Sequence, residues 1–496
     1  MAEKFDLVII GSGNGGYIPA IRASQLGMSV ALIEKEEVLG GTCLNWGCIP
    51  TKALLHTAEL LNAFNRSEEF GLKTNGAELD YEQLAEYRDG VVQQLQEGVS
   101  GLMRKNKVEI YTGLGSFVEP KKIQVENEDG ETQELEADYV LIASGSAVRT
   151  LPGLEIDHER IISSDDVVTR DLYPKSIIVL GSGAVGVEFA SMYNDFGAEV
   201  TIVEVLDRLV PSEDPEISEE LEKQFENHGT RVMTGSMAVP ETLEKTDDGV
   251  RIEVSPVSEG EQEEEEKAGE ESTYGGEADP AGETGDEGEP LEAEAILVAI
   301  GRKTVIENLN LDATNVEVND QGEIVVDEFY RTAEEGVYAA GDVIGGYWLA
   351  HAAGHEGIVA VEHIAGEDPM PLDQNLIPRV TFCRPEVASF GLNREQAEEQ
   401  GYEVKESKFP FRAIGKALIE GEPNGFVKAV ADAETDLILG MHMIGPKVTD
   451  LIAEGVFAKL VEGTAQEIGM AVHAHPSLSE VMGEAAMAVN GAAIHV

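Results

Sequence analysis

Apolar residues near the start of the chain form short runs that alternate with a helical pattern. The run Leu7–Ile10 leads through a glycine-rich turn into a helical pattern over residues 17–26, and a second apolar run over 29–33 ends at Glu34. The same order recurs over residues 176–204. Short continuous apolar runs between helices are typical of parallel strands that are buried on both faces. The pattern predicts two α/β domains of the doubly wound type.

From about residue 371 the pattern changes. Short runs with strand character occur at residues 379–382, 426–431 and 437–444, mixed with helical patterns near 394–400 and 449–461. Mixed strands and helices without regular alternation are typical of an antiparallel sheet with helices on one side. The last part of the chain is therefore predicted to be a separate α+β domain.

Both glycine-rich turns have the spacing G-x-G-x-x-G. They contain Gly11, Gly13 and Gly16, and then Gly181, Gly183 and Gly186. In each copy an acidic residue, Glu34 or Glu204, lies 23 positions after the first glycine. Alone, such a turn can be an ordinary glycine turn. Between a strand and a helix, with an acid after the next strand, it is typical of a dinucleotide site. There the pyrophosphate lies at the helix N-terminus and the acid accepts hydrogen bonds from the ribose.

The acid of the second copy bears on the choice of coenzyme. A carboxylate at Glu204 repels the 2′-phosphate of NADP, which favours NAD. Arg208 lies four residues further on. The alternative is that its positive charge compensates for Glu204 and allows NADP to bind.

Three further strand ends carry glycine. These are Ser144-Gly145, Gly301 and Gly341-Asp342. The alternative for each is an ordinary left-handed turn that binds no ligand. Asp342, at the carboxyl end of a predicted strand, is nevertheless well placed to bind a ribose or ribityl hydroxyl.

Cys43 and Cys48 are separated by four residues. An extended chain would hold their Cα atoms roughly 16 Å apart, whereas a disulfide requires less than about 7 Å. The chain must therefore bend between them, and Gly47 permits this. Pro50 suits the first turn of a helix that begins just after Cys48, and a helix N-terminus favours the thiolate. We interpret the pair as a redox centre; a zinc half-site or two unlinked thiols are the alternatives.

The C-terminal segment offers a candidate base. Pro476 is expected to hold His475 outside the helix that follows, while Ser477 and Glu480 form the S-x-x-E pattern of a capping box. Glu480 can simply cap the helix, or it can orient His475 and favour its charged form. A dithiol reaction requires a base because the thiolate is the nucleophile.

Composition limits the remaining possibilities. The chain has 496 residues with 35 basic and 94 acidic side chains, a net charge of −59, and three cysteines. This charge argues against nucleic acid or anionic membranes as partners. The few cysteines and the lack of a membrane-length apolar segment predict a cytoplasmic protein. At molar salt the Debye length falls to about 3 Å, so a halophilic origin would explain the charge. The alternative is an acidic segment that binds a partner.

On these motifs the chain resembles the flavoprotein disulfide reductase family, and within it the dihydrolipoyl dehydrogenase branch. The resemblance implies tightly bound FAD in the first site, NAD+/NADH in the second, and a homodimer in which the tail reaches the partner's flavin. It implies four parts: an FAD-binding domain (1–149), an NAD-binding domain (150–299) with an acidic insertion (257–291), a central segment (300–368) and a dimerisation domain (369–496).

The resemblance also implies roles for single residues. Cys43 would form the mixed disulfide with substrate, and Cys48 would be the thiol beside the flavin. Lys52 would lie near flavin N5 and pair with Glu188. His475 of the other subunit would take the substrate proton, oriented by Glu480. The implied cofactor-binding residues are Gly11, Gly13, Gly16, Glu34, Lys35, Gly41, Thr42, Lys52, Ser144, Gly145, Gly181, Gly183, Gly186, Glu204, Gly301, Gly341, Asp342 and Ala350; no metal site is predicted.

The implied reaction is oxidation of dihydrolipoamide carried by an acyltransferase of a 2-oxo acid dehydrogenase complex or by a glycine-cleavage carrier protein. The alternative enzyme is an NAD(P)H-dependent reductase of glutathione-type disulfides. A mercuric reductase would require a C-terminal cysteine pair, which the sequence lacks. A purely structural docking subunit would not need the catalytic groups that are present.

Overall fold

The computed structural model describes residues 3–257 and 288–495. The strands are β1 (Glu3–Ile10), β2 (Val30–Glu34), β3 (Glu109–Thr112), β4 (Leu114–Glu119), β5 (Lys122–Glu126), β6 (Thr132–Ile142), β7 (Ser146–Val148), β8 (Ile161–Ser163), β9 (Ser176–Leu180), β10 (Glu199–Val203), β11 (Arg231–Met233), β12 (Ser236–Lys245), β13 (Val250–Pro256), β14 (Glu289–Ala293), β15 (Ala295–Val298), β16 (Arg302–Thr304), β17 (Val337–Ala339), β18 (Arg379–Thr381), β19 (Glu386–Gly391), β20 (Val404–Pro410), β21 (Phe426–Asp432) and β22 (Ile438–Gly445). The helices are α1 (Asn14–Gln25), α2 (Gly41–Asn45), α3 (Cys48–Asn65), α4 (Tyr81–Asn106), α5 (Ser164–Thr169), α6 (Ala184–Asp195), α7 (Pro215–Asn227), α8 (Ala350–Ile364), α9 (Arg394–Glu399), α10 (Gly415–Glu420), α11 (Val448–Leu460), α12 (Ala465–Met470) and α13 (Glu480–Val489).

These elements divide into two compact units. The described residues of the first unit are 3–173 and 300–372, and those of the second are 174–257, 288–299 and 373–495. The finer division into four domains stays a prediction.

The first unit is built on a mixed sheet in the order β3-β2-β1-β6-β5-β4, and β17 also pairs with β6. Strands β1, β2, β3, β17 and the end of β6 run parallel, with Leu7 opposite Val30 on one side and Tyr139 on the other. Leu7 and Ile9 belong to one buried cluster, while Val8 and Ile10 belong to another. Burial on both faces explains the continuous apolar run of β1.

The second unit repeats this arrangement. Strands β11, β10, β9 and β15 are neighbours in that order and run parallel. Strands β13 and β14 pair antiparallel, with Val254 opposite Glu289, and they are the two strands between which the acidic insertion lies in the sequence. Residues 258–287, most of that insertion, lie outside the described residues. The prediction of two α/β parts is confirmed.

The C-terminal part of the second unit is an antiparallel sheet in the order β18-β19-β22-β21-β20. Helices α11, α12 and α13 contribute to the core that covers this sheet, with residues such as Ile452, Ile468 and Met482 buried against Phe390 and Met441. The predicted α+β domain is confirmed.

A buried group of charges joins the start of α7 to this antiparallel sheet. Lys428 Nζ lies 2.8 Å from Asp214 Oδ2, and Arg379 Nε lies 3.4 Å from Glu213 Oε1. Burial raises the pKa of Glu213, and Arg379 opposes that shift. Burial also lowers the pKa of the neighbouring His442 to about 4, so this imidazole is neutral at pH 7. The two parts of the unit are thus held together by ion pairs as well as by apolar contacts.

Among the described residues, no helix combines the length and the apolar character needed to cross a membrane.

Candidate active site

The first glycine turn brings the start of α1 close to the end of β1. A Cβ atom on Gly16 would lie 1.9 Å from the carbonyl oxygen of Gly11, so only glycine fits there. Helix α1 begins after Gly13, and no side chain caps its N-terminus. An uncapped helix N-terminus with close backbone access can bind a phosphate.

The acid that follows β2 is anchored to this turn. Glu34 Oε2 accepts hydrogen bonds from Ser12 N at 2.9 Å and from Ser12 Oγ at 2.5 Å. Its Oε1 accepts one from Glu36 N at 3.0 Å. The neighbouring Lys35 is exposed, with Nζ 3.6 Å from Glu36 Oε1. The glycine turn and the carboxylate therefore form one preorganised group.

The second copy has the same geometry. A Cβ atom on Gly186 would lie 2.0 Å from Gly181 O. Glu204 Oε2 accepts hydrogen bonds from both Ser182 N and Ser182 Oγ at 2.7 Å, and Glu204 Oε1 accepts one from Leu206 N at 2.9 Å. The two serines are not among the residues predicted from the sequence, although the repeated tripeptide G-S-G is a visible signal.

Both turns fit a dinucleotide. A Cβ atom added to Gly183 would meet nothing within 4 Å, and helix α6, which begins after Gly183, has no side-chain cap. In the first copy a Cβ atom on Gly13 would approach only Gly41 Cα, at 4.0 Å. Open backbone at an uncapped helix N-terminus, beside an anchored carboxylate, provides donors for a pyrophosphate and acceptors for a ribose.

The cysteine segment lies against the first glycine turn. A Cβ atom on Gly41 would lie 2.6 Å from Gly13 Cα, and Gly40 N donates to Ser12 O at 3.2 Å. The adjacent Thr42 is in the first turn of α2. The predicted residues Gly41 and Thr42 are therefore close to the predicted phosphate site.

The chain bends between the cysteines at Gly47, as predicted. Helix α2 ends at Asn45, and α3 begins at Cys48 itself, with Gly47 as its N-cap. A Cβ atom on Gly47 would lie 2.9 Å from Thr42 O, which leaves no room for a side chain. Cys48 is thus the first residue of a helix, where backbone N–H groups favour a thiolate.

The side chains of Cys43 and Cys48 are hydrogen-bonded to each other. The pKa of the Cys43 thiol is raised, first by its hydrogen bond with the Cys48 side chain and then by burial, while the charge of Lys52 opposes that shift. The second proton of the pair is therefore held more tightly than a solvent-exposed thiol proton. Such coupling is expected of two sulfurs that are close enough to share a proton or to form a bond.

Asp342 follows β17 and is held by two side chains that the sequence analysis overlooked. Asp342 Oδ2 accepts a hydrogen bond from Ser146 Oγ at 2.5 Å, and Ser146 Oγ accepts one from Arg302 Nε at 2.7 Å. These contacts join β7, β16 and the turn after β17. These hydrogen bonds therefore fix the orientation of the Asp342 side chain.

The remaining glycine-containing strand ends lie around the β7–β16 pair. Ser144 Oγ donates to Val305 O at 2.7 Å, and Val305 N donates to Gly145 O at 3.0 Å. Gly301 O accepts from Arg149 N at 3.1 Å. The last predicted residue of this group, Ala350, begins α8.

In the second unit, His475 is exposed and paired with Glu480. His475 Nδ1 lies 2.8 Å from Glu480 Oε1, and Ser477 N donates to Glu480 Oε2 at 3.0 Å. The Ser477 N–H and then the His475 side chain lower the pKa of Glu480. With Nδ1 engaged, Nε2 is the ring atom available to exchange a proton with a ligand.

The predicted capping box at Ser477 is wrong in one half. Helix α13 begins at Glu480 with Ser479 as N-cap, and Ser477 Oγ donates to Ala474 O at 2.5 Å. Only the hydrogen bond from Ser477 N to Glu480 is present. The hydroxyl instead closes the turn that carries His475.

Glu188 lies on the buried face of α6. Its Oε1 accepts a hydrogen bond from Phe382 N at 2.8 Å. Lys52 belongs to the first unit and Glu188 to the second, and their pairing stays a prediction.

Comparison with known proteins agrees with this arrangement. The family profile described as pyridine nucleotide-disulphide oxidoreductase matches residues 5–357, and the dimerisation domain of the same family matches residues 377–486. The chain belongs to the pyridine nucleotide-disulphide oxidoreductase family. The antiparallel sheet of the second unit thus lies within the dimerisation domain of this family.

Several members of this family are similar to the chain over its whole length. The dihydrolipoyl dehydrogenase of Bacillus subtilis is 46% identical over 503 residues, covering 100% of both chains. That of Zymomonas mobilis is 41% identical over 496 residues, again covering 100% of both. Among solved structures, LpdA from Mycobacterium tuberculosis superposes with a TM-score of 0.85 at 25% identity, covering 98% of this chain and 100% of that one.

Proposed function

We propose that this chain is an NAD-dependent, FAD-containing dihydrolipoyl dehydrogenase. The observation that carries the proposal is the contact between Cys43 and Cys48 at the start of α3, within a chain that is 46% identical to a dihydrolipoyl dehydrogenase over its full length. The full-length relatives favour this activity over a reductase of glutathione-type disulfides.

In the proposed reaction, the oxidised enzyme carries a Cys43–Cys48 disulfide. His475 of the partner subunit accepts a proton through Nε2 from one thiol of dihydrolipoamide, and the resulting thiolate attacks Cys43 Sγ. The Cys43–Cys48 bond breaks, and Cys48 leaves as a thiolate. The sulfur of the second substrate thiol then bonds to the first substrate sulfur, the bond from that sulfur to Cys43 Sγ breaks, and Cys43 takes up the proton of the second thiol; the products are lipoamide and the reduced cysteine pair. Bound FAD supplies the two-electron chemistry that passes this reducing power to NAD+.

The local geometry supports a different role for each sulfur. Cys48 is at a helix N-terminus, where the leaving thiolate is stabilised. Cys43 retains its proton in the reduced pair, as expected for the sulfur that is released last. Lys52, one turn along α3, places a positive charge near the pair. Glu480 holds His475 through Nδ1, so that Nε2 faces outward as the base.

The two glycine turns are proposed to hold the two dinucleotides. In the first, Gly11, Gly13 and Gly16 would contact the FAD pyrophosphate together with Gly41 and Thr42. Glu34 would bind the adenosine ribose, with Lys35 beside it. Lys52, Ser144, Gly145, Gly301, Asp342 and Ala350 would complete the flavin site. In the second, Gly181, Gly183 and Gly186 would bind the NAD pyrophosphate and Glu204 its ribose.

The dimerisation domain over residues 377–486 supports a homodimer. We further propose that the substrate is a lipoyl group carried by an acyltransferase of a 2-oxo acid dehydrogenase complex or by a glycine-cleavage carrier. A cytoplasmic location and adaptation to high salt remain proposals that rest on composition and charge.

Anaerobic addition of dihydrolipoamide to the purified flavoprotein tests the proposed function. We expect a long-wavelength absorption band, because a Cys48 thiolate beside the oxidised flavin absorbs where neither group does alone. Addition of NAD+ should then produce NADH with loss of the band. A yellow protein that neither develops the band nor forms NADH would exclude this activity.

Glu204 offers a test of the second dinucleotide site. Replacing Glu204 with Gln removes a charged acceptor of the Ser182 and Leu206 hydrogen bonds, so kcat/KM for NAD+ should fall about 10- to 100-fold. The ratio of NADP+ to NAD+ use should rise because the repulsion of a 2′-phosphate is lost. Glu199→Gln, an exposed change at the start of β10, the strand that Glu204 follows, serves as the matched control. If E204Q loses bound FAD as well as NAD+ activity, the assignment of this turn to NAD is wrong.

A further inference from the structure

Glu356 is a buried carboxyl group that the proposed reaction does not use. It lies on α8 and is 6% exposed. Its Oε2 accepts a hydrogen bond from the backbone N–H of Gly341 at 2.8 Å. Burying a carboxyl group costs free energy unless it is hydrogen-bonded, and burying its ionised form costs more unless the charge is also paired.

Through this hydrogen bond, Glu356 holds the backbone of the residue that immediately precedes Asp342. Gly341 has a φ of 80°, and the short turn that starts at Asp342 follows it. On the other side, Asp342 is held by Ser146 and through it by Arg302. The turn is therefore fixed from two directions, by Ser146 at its side chain and by Glu356 at its backbone.

Within residues 3–257 and 288–495, the groups that act on the Glu356 carboxyl are the Gly341 N–H and Asp342, and neither is a cation. On the neighbouring elements, the negative charge of Asp342 repels that of Glu356. Burial first, and then the charge of Glu356, raise the pKa of Tyr330. Arg22 on α1 is bound to Glu362, and Tyr338 on β17 is hydrogen-bonded to His363. The pKa of Tyr17 on α1 is raised, first by burial and then by the charge of Cys43. Burial first and Asp342 second raise the pKa of Glu356 to about 7, against the hydrogen bond from Gly341.

We propose that Glu356 is a positioning residue that fixes the turn carrying Asp342, and that its carboxyl group helps to determine how tightly the enzyme retains FAD. The proposal rests on the proposed role of Asp342 in holding the flavin. Glu356 acts through Gly341 and does not touch the cofactor itself.

The sign of the pH dependence follows from the burial of this acid. A folded pKa of about 7 against an ordinary value of 4.5 means that the folded protein binds the proton more tightly than the unfolded chain. Stability linked to this group is therefore lost as the pH rises from 4.5 through 7. Bound FAD adds negative phosphates and excludes water, which favours the neutral acid further. The pKa of Glu356 without FAD is about 7 and bound FAD raises it, so FAD affinity should fall as the pH rises from about 7 toward the higher pKa of the complex.

The experiment measures FAD dissociation from the full-length holoenzyme. The protein is diluted into the nanomolar range at several pH values from 5.5 to 8.5, and the flavin fluorescence recovered on release gives Kd. Glu356→Gln keeps an acceptor for Gly341 N but cannot ionise, so its Kd should stay near the acidic wild-type value at every pH. Glu356→Leu leaves Gly341 N without its acceptor and should raise Kd about tenfold.

Two further variants separate the possible outcomes. Glu362→Gln makes the same change on the same helix, in a partly exposed pair with Arg22, and should leave Kd unchanged. Asp342→Ala tests the proposed flavin contact itself. If D342A raises Kd but E356Q titrates like the wild type, the inference about Glu356 is wrong while the site stands. If D342A leaves Kd unchanged, the proposed role of Asp342 fails and the inference fails with it. The comparison of E356Q with the wild type decides the matter even if E356L does not fold.

Discussion

Replacing Cys43 or Cys48 with Ser should lower the rate of dihydrolipoamide oxidation by at least about 10⁴-fold, with FAD still bound. Either change removes one sulfur of the pair, so neither the mixed disulfide nor its resolution can occur. The cofactor should remain because the glycine turn, Glu34 and the Asp342 turn are untouched. The measurement is steady-state NADH formation, with the flavin content read from its absorption spectrum.

Cys383 is the matched control for these variants. It is buried in the second unit, and its thiol donates to Pro385 O at 3.1 Å. Cys383→Ser preserves a donor at that position and should leave turnover within a few-fold of the wild type. Substantial turnover by C43S or C48S would contradict the assignment of the pair as the redox centre.

Replacing His475 with Gln should lower kcat for dihydrolipoamide oxidation by about 10²- to 10⁴-fold, the range expected when a general base is lost. The glutamine side chain can still bond to Glu480 but cannot accept the substrate proton. Glu480→Gln should have a smaller effect, since it leaves the base in place with a weaker orienting contact. Both variants are measured by NADH formation across a range of pH.

His473 provides the comparison for His475. It lies two residues earlier, and its Nε2 is bound to Glu454 Oε1 at 2.7 Å in a largely buried position. His473→Gln should change kcat much less than His475→Gln. A second readout is NADH oxidation by a one-electron artificial acceptor, which requires no thiol proton and should survive in H475Q. Equal loss of both activities in H475Q would indicate a folding or dimerisation defect rather than a missing base.

The elements that the sequence predicted well are those with local signals. The apolar run of β1, the glycine turn and Glu34 all lie within one strand–helix–strand unit, and a second copy around Glu204 supported the same interpretation. The bend at Gly47 was predicted from the spacing of two cysteines alone. In each case the constraint acts between residues close in sequence, so it leaves a readable pattern.

The contacts that the sequence could not predict join distant segments. Ser146 and Asp342 are 196 positions apart, and Arg302 reaches Ser146 across 156. Glu356 gave no signal because a glutamate on a helix is usually solvated, and only the packing of α8 buries it. The error at Ser477 has a local origin: its hydroxyl had two possible partners, and the turn after His475 offered Ala474 O before the helix began.

The buried charges between α7 and the antiparallel sheet have a consequence for an acidic chain in strong brine. Dissolved ions weaken attractions at the surface but cannot enter the space around Lys428 and Asp214, which are 7% and 2% exposed. The cohesion of the second unit should therefore change little with ionic strength, while mutual repulsion among the outer carboxylates is relieved. The buried ion pairs of the second unit should therefore be insensitive to salt concentration, whereas the exposed carboxylates respond to it.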